Sequence, residues 1–181
     1  MKSNLYDKYK KEVIPELEKG FGYKNIMAVP KIAKVTVNVG INSRSTDSGL
    51  IDTVESTLRR ITGQKPVRTK ARAAISAFKV KENMVVGEVV TLRGQYMYDF
   101  LEKLITISLP RIRDFRGIPL RSIDAQGNLS LGFREHIVFP EIRSDEVERL
   151  HGLQVNIITT AGNREVGEEL FRLMGFPLQK K

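Results

Sequence analysis

The chain of 181 residues has no cysteine, which excludes disulfides and every thiolate-ligated zinc site. Its only histidines, His136 and His151, stand in different segments at a spacing that matches neither a metal set nor a catalytic triad, and they read as surface or capping residues. No apolar run approaches the ~18 residues of a spanning helix. The first twenty residues, MKSNLYDKYKKEVIPELEKG, lack a signal-peptide core, and Asp7, Glu12, Glu16 and Glu18 argue against an organelle transit peptide. A cytoplasmic location is expected. Phosphate-loop chemistry is missing too: GQKPVRTK has neither the second glycine nor the Gly-Lys-Ser/Thr ending, and no Gly-x-Gly-x-x-Gly follows a strand. The carboxylates are scattered, with no pair that can be assigned to one cleft. Neither an enzyme nor a cofactor is expected.

Acidic residues are absent from one long stretch. Thr57–Lys81, TLRRITGQKPVRTKARAAISAFKVK, carries Arg59, Arg60, Lys65, Arg68, Lys70, Arg72, Lys79 and Lys81 without an Asp or Glu. A surface that needs only solubility mixes both signs. The same stretch holds Thr62, Gln64, Thr69, Ser76 and Phe78, so cations, polar groups and a ring occur together, as nucleic-acid binding requires. The plainer alternative is a solvated basic face beside a core phenylalanine. Over the whole chain, 30 Lys and Arg face 21 Asp and Glu, for a net charge of +9 and a pI near 9.8. A polyanion is the expected partner, nucleic acid before anionic membrane.

Periodicity supplies the framework. Leu5, Tyr9, Val13, Leu17 and Phe21 line one face of a helix over 4–19, with Pro15 a kink or restart point and Gly20 and Gly22 its end. The segment IAKVTVNVGI (32–41) alternates: Val35, Val37, Val39 and Ile41 on one side, Lys34, Thr36 and Asn38 on the other. A loop, NSRSTD, leads to a helix over 48–62 with Ser48 as N-cap, Gly63 past its end, and a stripe of Leu50, Ile51, Val54, Leu58 and Ile61. Extended pieces are expected at 67–71 and 74–79, the second turning Ser76 and Phe78 to one side. A strand at 86–93 sets Val90 and Leu92 against Val89, Thr91 and Arg93, and a helix follows over 95–109. From Pro110 the chain is irregular, with short strands at 129–133 and 136–139, an acidic helix at 144–150 capped by Ser144, a strand at 153–161 and a helix at 163–174 between Asn163 and Gly175.

This order predicts an α+β fold in one domain, residues 1–181, with an insertion at about 110–150. Its antiparallel sheet follows the split β-α-β order of ferredoxin-like and RNA-recognition folds, with helices on one face and further helices at both ends of the chain. If the helices cover one face, the other collects Lys34, Thr36, Asn38, Ser76, Phe78, Thr91 and Arg93. An open sheet of amides, hydroxyls and cations around an aromatic suits RNA, although the aromatic signature of the common RNA-recognition motif is absent.

Five segments, VPKIAKVTVNVG (29–40), ITGQKPVRTKARAAISAFKVK (61–81), VGEVVTLRG (86–94), LPRIRDFRGI (109–118) and VFPEI (138–142), closely resemble the bacterial ribosomal protein L-five family. The resemblance runs from about residue 5 to the C-terminus. It implies a structural, non-enzymatic constituent of the large ribosomal subunit that binds 5S rRNA in the central protuberance. The family's RNA-contacting positions fall on Lys34, Asn38, Gln64, Phe78 and Thr91, and Lys65, Arg68 and Arg93 join them as neighbouring cations. The resemblance further implies a loop near 73–85 reaching P-site tRNA, with Lys79 and Lys81 as phosphate contacts and Arg72 and Asn83 beside them. A bridge to small-subunit protein thirteen is implied through the irregular region, with Arg111, Arg113, Glu141, Asp145 and Glu146 as candidates and Glu148 in the same acidic patch. Large-subunit rRNA and the neighbouring 5S-associated proteins are the other implied partners; neither a membrane nor a homo-oligomer is. The sequence departs from the family pattern at Asn42 and Asn83, where glycine is usual, and at Val85, where proline is usual. A non-ribosomal RNA chaperone or regulator would share the basic open sheet.

Overall fold

The computed structural model describes residues 3–41, 48–143 and 150–179. The expected NSRSTD loop lies outside these residues, as do Ser144 and all of the expected 144–150 helix except Leu150.

Among the described residues five strands form one sheet: β1 (Ile32–Gly40), β2 (Val67–Lys70), β3 (Val85–Leu92), β4 (Leu129–Phe133) and β5 (Leu153–Thr159), in the order β2-β3-β1-β5-β4. Helices α1 (Asn4–Lys8) and α2 (Ile14–Phe21) precede the sheet. Helix α3 (Ser48–Thr62) joins β1 to β2, α4 (Gly94–Lys103) follows β3, and α5 (Arg164–Met174) follows β5. This is the α+β split order expected from periodicity. Two of the expected strands do not form. Residues 74–79 make a loop whose Ser76–Phe78 is a 3-10 turn, and His136–Val138 is another such turn. Six residues containing two alanines, AISAFK, are too weak an alternation to hold an extended shape without a ladder partner. Here the backbone closes on itself instead, Ile75 N–H donating to Val80 O at 2.9 Å.

The chain divides into two compact units. One contains Met1–Val35, Leu92–Leu131 and Asn156–Lys181. Helix α1 runs through a π-helical turn, Tyr9–Val13, into α2. Pro15, at the start of α2, has no N–H for the i−4 carbonyl and would clash with it, and the wider turn before it accommodates the ring. Leu5, Tyr9, Val13 and Leu17 are buried as the four-residue spacing predicts; Phe21 is exposed, beyond the covered part of the helix. α1 packs on α4, and α5 packs on the π-helical turn and on α2. Asn163 and Gly175 (φ +94°) bound α5, although the Asn163 side chain makes no capping bond. Gly167 of α5 passes so close to Gly127 that a Cβ on it would lie 2.5 Å from the Gly127 Cα.

The other unit contains Thr36–Thr91 and Gly132–Val155. Its core holds Val37, Val39 and Val90 from the strands and Ile51, Val54, Leu58 and Ile61 from α3. Leu50, expected in that stripe, is only half-buried, and the Ser48 side chain lies outside the described residues. Gly63 ends α3 with φ +70°, a left-handed conformation that glycine adopts without strain.

Candidate nucleic-acid interface

The register of β2 on β3 decides which side chains face away from the helix. The strands are antiparallel, with Val67 opposite Val89, Arg68 opposite Glu88 and Thr69 opposite Gly87. Arg68 reaches α3: its Nη2 donates to Asp52 Oδ1 at 2.8 Å and to Glu55 Oε2 at 2.7 Å. Paired residues share a face and neighbours alternate, so Arg68, Glu88 and Val90 look toward α3. Val67, Thr69, Val89 and Thr91 look away, and Val67 is accordingly 65% exposed. On β1, Val35, Val37 and Val39 are buried, which leaves Lys34, Thr36 and Asn38 half-buried on the uncovered side. Gly87 keeps this surface flat, because a Cβ there would lie 2.7 Å from Val39 O. The result is a shallow floor of hydroxyls and an amide whose ladder bonds leave the side chains available to a partner.

Arg68 does not belong to that floor. Charge alone grouped it with the RNA-contacting residues; the register turns it toward α3, where its side chain stays 44% exposed and also lies 3.5 Å from Glu88 Oε1. Glu88 is fully buried, and neither of its carboxylate oxygens has a hydrogen-bond partner. Burial, and then the neighbouring Glu55 charge, push its carboxyl above the usual range, with Arg68 pulling the other way. Glu55 is held below that range, chiefly by its hydrogen bond from Arg68. Glu88 was legible and missed: the alternation that placed Val90 and Leu92 inward also places the residue two before Val90 inward.

Gln64 and Lys65 are exposed on the turn that Gly63 opens after α3. Gln64 N–H donates to Thr62 Oγ1 at 3.3 Å, and Lys65 lies 3.6 Å from Glu55. A surface pair that long holds Lys65 weakly. Between β2 and β3 a loop projects, closed at its base by Ala71 N–H to Met84 O at 2.8 Å and by Asn83 N–H to Ala71 O at 3.0 Å. Arg72, Lys79 and Lys81 are exposed on it. Phe78 is 68% exposed there, on the 3-10 turn rather than on a sheet strand. The expectation that a strand carries Phe78 onto the sheet face is therefore corrected: the ring is presented by the loop. Arg93, the extended residue after β3, is exposed.

Two family models match the chain: one described as "Ribosomal protein L5" over residues 25–81 and one described as "ribosomal L5P family C-terminus" over residues 85–178. A "Large ribosomal subunit protein uL5" of Halothermothrix orenii is 49% identical over 178 residues, covering 98% of this chain and 99% of that one. Another of the same description, from Clostridium kluyveri, is 45% identical over 181 residues, the full length of both. The chain belongs to the ribosomal protein L5 family. It is a structural constituent of the large ribosomal subunit, not an enzyme.

Within the L5 family pattern, Asn83 stands where glycine is usual, and its φ is +64°. Asparagine is among the few side chains that tolerate this left-handed region, so the turn keeps a glycine-like backbone. Asn42 lies outside the described residues. Of the bridge candidates, Arg111 and Arg113 are exposed, whereas Glu141 is half-buried with its carbonyl accepting from Arg60 Nη2 at 2.6 Å. Asp145, Glu146 and Glu148 lie outside the described residues. Among the described residues, no group of three or more His, Cys, Asp or Glu is arranged to hold a metal ion, and no helix is long and apolar enough to cross a membrane.

Proposed function

We propose that this L5-family chain binds 5S rRNA through the uncovered face of β1, β3 and β2. The observation that carries the reading is the floor of Thr36, Asn38, Thr69 and Thr91, turned away from α3 in a chain of net charge +9. Lys34, Lys65 and Arg93 neutralise phosphates, and the floor's amide and hydroxyls, with Gln64, fix register. The β2–β3 loop reaches P-site tRNA with Arg72, Lys79, Lys81 and Asn83, its exposed Phe78 offering a ring to an unpaired base. The irregular region beyond α4, with Arg111, Arg113 and Glu141, bridges to small-subunit protein thirteen. Large-subunit rRNA and the other 5S-associated proteins complete the setting.

Filter binding of the purified chain to a 5S rRNA transcript tests this. The logarithm of affinity should fall with the logarithm of salt at roughly 0.7–0.9 per neutralised phosphate. Affinity no greater than for an unrelated RNA of equal length would refute the specific claim.

A further inference from the structure

We infer that the cavity between α1 and the start of α4 is a seat for an arginine side chain of a basic protein partner. Both helices belong to the same compact unit, and α1 packs on α4. Ser3, Tyr6, Gly94, Gln95 and Tyr98 line a cavity of about 250 Å³ there, room for one long side chain and little more. None of these five residues is among those expected to contact RNA, tRNA or the small subunit.

The walls are aromatic, and one of them carries an unused polar group. The Tyr6 and Tyr98 rings lie 5.0 Å apart, centroid to centroid, and are inclined at 57°. Ring faces attract cations, and Lys10 already places its ammonium 4.5 Å from the Tyr6 centroid. Tyr98 is 7% exposed, and among the described residues no group hydrogen-bonds to its hydroxyl. A buried phenol ordinarily finds a partner, as the Tyr9 hydroxyl does by donating to Pro30 O at 3.0 Å. The Tyr98 hydroxyl is left to whatever enters the cavity.

The charge around the cavity runs against that of the chain. One helical turn from a lining residue, where side chains are neighbours, stand Asp7 after Ser3, Asp99 after Gln95 and Glu102 after Tyr98. Glu102 reaches the lining itself, its Oε2 accepting from Ser3 Oγ at 2.7 Å. Lys10 after Tyr6 is the one cation at that spacing, and Arg93 precedes Gly94. Three carboxylates against two cations, in a chain with 21 against 30, favour a cationic guest over a phosphate. Arginine suits all three features. Its planar guanidinium stacks on tyrosine, its donors meet a phenol oxygen and a carboxylate, and it is more weakly hydrated than an ammonium.

A blocked peptide with one arginine, acetyl-Gly-Arg-Gly-amide, tests the seat on the full chain by NMR. Beside it runs the same peptide with citrulline, which keeps the length and the planar head but not the charge. The arginine peptide is expected to move the Tyr6 and Tyr98 ring signals with a Kd on the order of 10 mM, as a single side chain gives. The citrulline peptide should bind about tenfold more weakly. Tyr98→Phe keeps the ring and should weaken arginine binding about fivefold, the loss of one hydrogen bond, at unchanged melting temperature. Equal binding of the two peptides, or a titration in which neither ring responds, overturns the inference. Adenosine monophosphate binding at these rings more tightly than the arginine peptide would make the cavity a base site and overturns it too. The chain has no cysteine, so Gln95→Cys carries a single benzophenone into reconstituted large subunits. It should crosslink to an arginine-containing protein segment, and adducts confined to rRNA overturn the inference. None of these outcomes decides the 5S rRNA reading, which filter binding tests separately.

Discussion

Replacing Glu88 by methionine should make the protein more stable at neutral pH while leaving RNA binding untouched. Glu88 is fully buried, and neither carboxylate oxygen has a hydrogen bond. Its nearest cation, Arg68 Nε, is 3.5 Å away. At an effective dielectric of about 20, that separation is an attraction of roughly 4–5 kcal/mol. Removing a carboxylate from water costs several kcal/mol by itself, and Glu55 and Asp52 add repulsion in the same pocket. The raised carboxyl places the net on the unfavourable side. Methionine is flexible, similar in length and without a polar group to strand, and Arg68 keeps its bonds to Asp52 and Glu55 on α3. Replacing a whole buried ion pair by well-packed apolar residues is neutral or stabilising by up to about 1–4 kcal/mol. Here only the acid goes, and Arg68, 44% exposed and still bonded to Asp52 and Glu55, is left neither buried nor unpaired, which favours the lower half of that range. At roughly 2–4 °C per kcal/mol for a chain of this size, thermal unfolding should shift upward by about 4 °C. The pH dependence follows from the sign of the shift. A carboxyl whose folded pKa is raised contributes stability that is complete below its unfolded value and lost as pH rises through the folded value. The variant's advantage should therefore be greatest at neutral pH, fade as pH falls through the raised folded value where Glu88 takes up its proton, and be least below the ordinary glutamate value of 4.5. Urea unfolding at pH 7 and pH 4.5 would measure both. A variant less stable than wild type at pH 7 would show that the Arg68 attraction outweighs desolvation, and the reasoning would be wrong.

Four further outcomes are expected. Asn38→Ala should weaken 5S rRNA binding about fivefold, the loss of roughly one hydrogen bond, at unchanged salt slope, whereas Lys65→Ala should lower that slope by about 0.7–0.9; equal effects of the two on the slope would contradict the division into floor and cation. Phe78→Ala should cost on the order of 1–3 kcal/mol of binding to RNA in filter assays without lowering the melting temperature, because the ring is 68% exposed; a large fall in melting temperature would mean the ring is structural. Gly167→Ala should destabilise by about 2 kcal/mol in urea unfolding, since the overpacking of backbone 2.5 Å away exceeds the roughly 1 kcal/mol gained in helix propensity; a more stable variant would show that the Gly127 turn yields. His151 has its pKa lowered to about 4 by burial and by His136, whose ring stacks on it at 3.9 Å. With a depressed folded pKa, stability present above about pH 6.5 is lost as pH falls toward 4, in total about 3 kcal/mol, so ring-proton NMR should find His151 neutral at pH 5.5, and His151→Phe should flatten the stability profile over that window.

Much of this was legible in the residues because it depends on local periodicity. The buried stripe of α3, the two sides of β1 and the outward turn of Thr91 all follow from spacing that a helix or strand imposes on its own side chains. Two features did not, for different reasons. The run AISAFK alternates, but whether an alternating run is a strand depends on a partner elsewhere in the chain. β2 parts from β3 near Ala71, so Phe78 is delivered by a loop. The direction of Arg68 was hidden for the opposite reason: net charge reports the sign of a partner and carries no direction. Only the pairing of Arg68 with Glu88, a contact twenty residues away in the chain, shows that its side chain points toward α3.

That pairing also bears on how the interface is specified. β2 has only four residues and lies at one end of the sheet, where register is weakly determined and a slip of one residue exchanges the faces. Slipped by one, β2 would place Arg68 on the uncovered side, turn Val67 and Thr69 under α3, and leave Glu88 buried among Asp52 and Glu55 without a cation. A buried, uncompensated carboxylate costs several kcal/mol, more than a four-residue edge strand can recover in ladder bonds. The irregularity between Thr69 and Lys70 marks where this constraint ends and the loop begins. The carboxylates of Asp52, Glu55 and Glu88 thus turn Arg68 toward α3 and leave hydroxyls and an amide on the opposite side of the strands, the kind of groups that fix register rather than grip any phosphate.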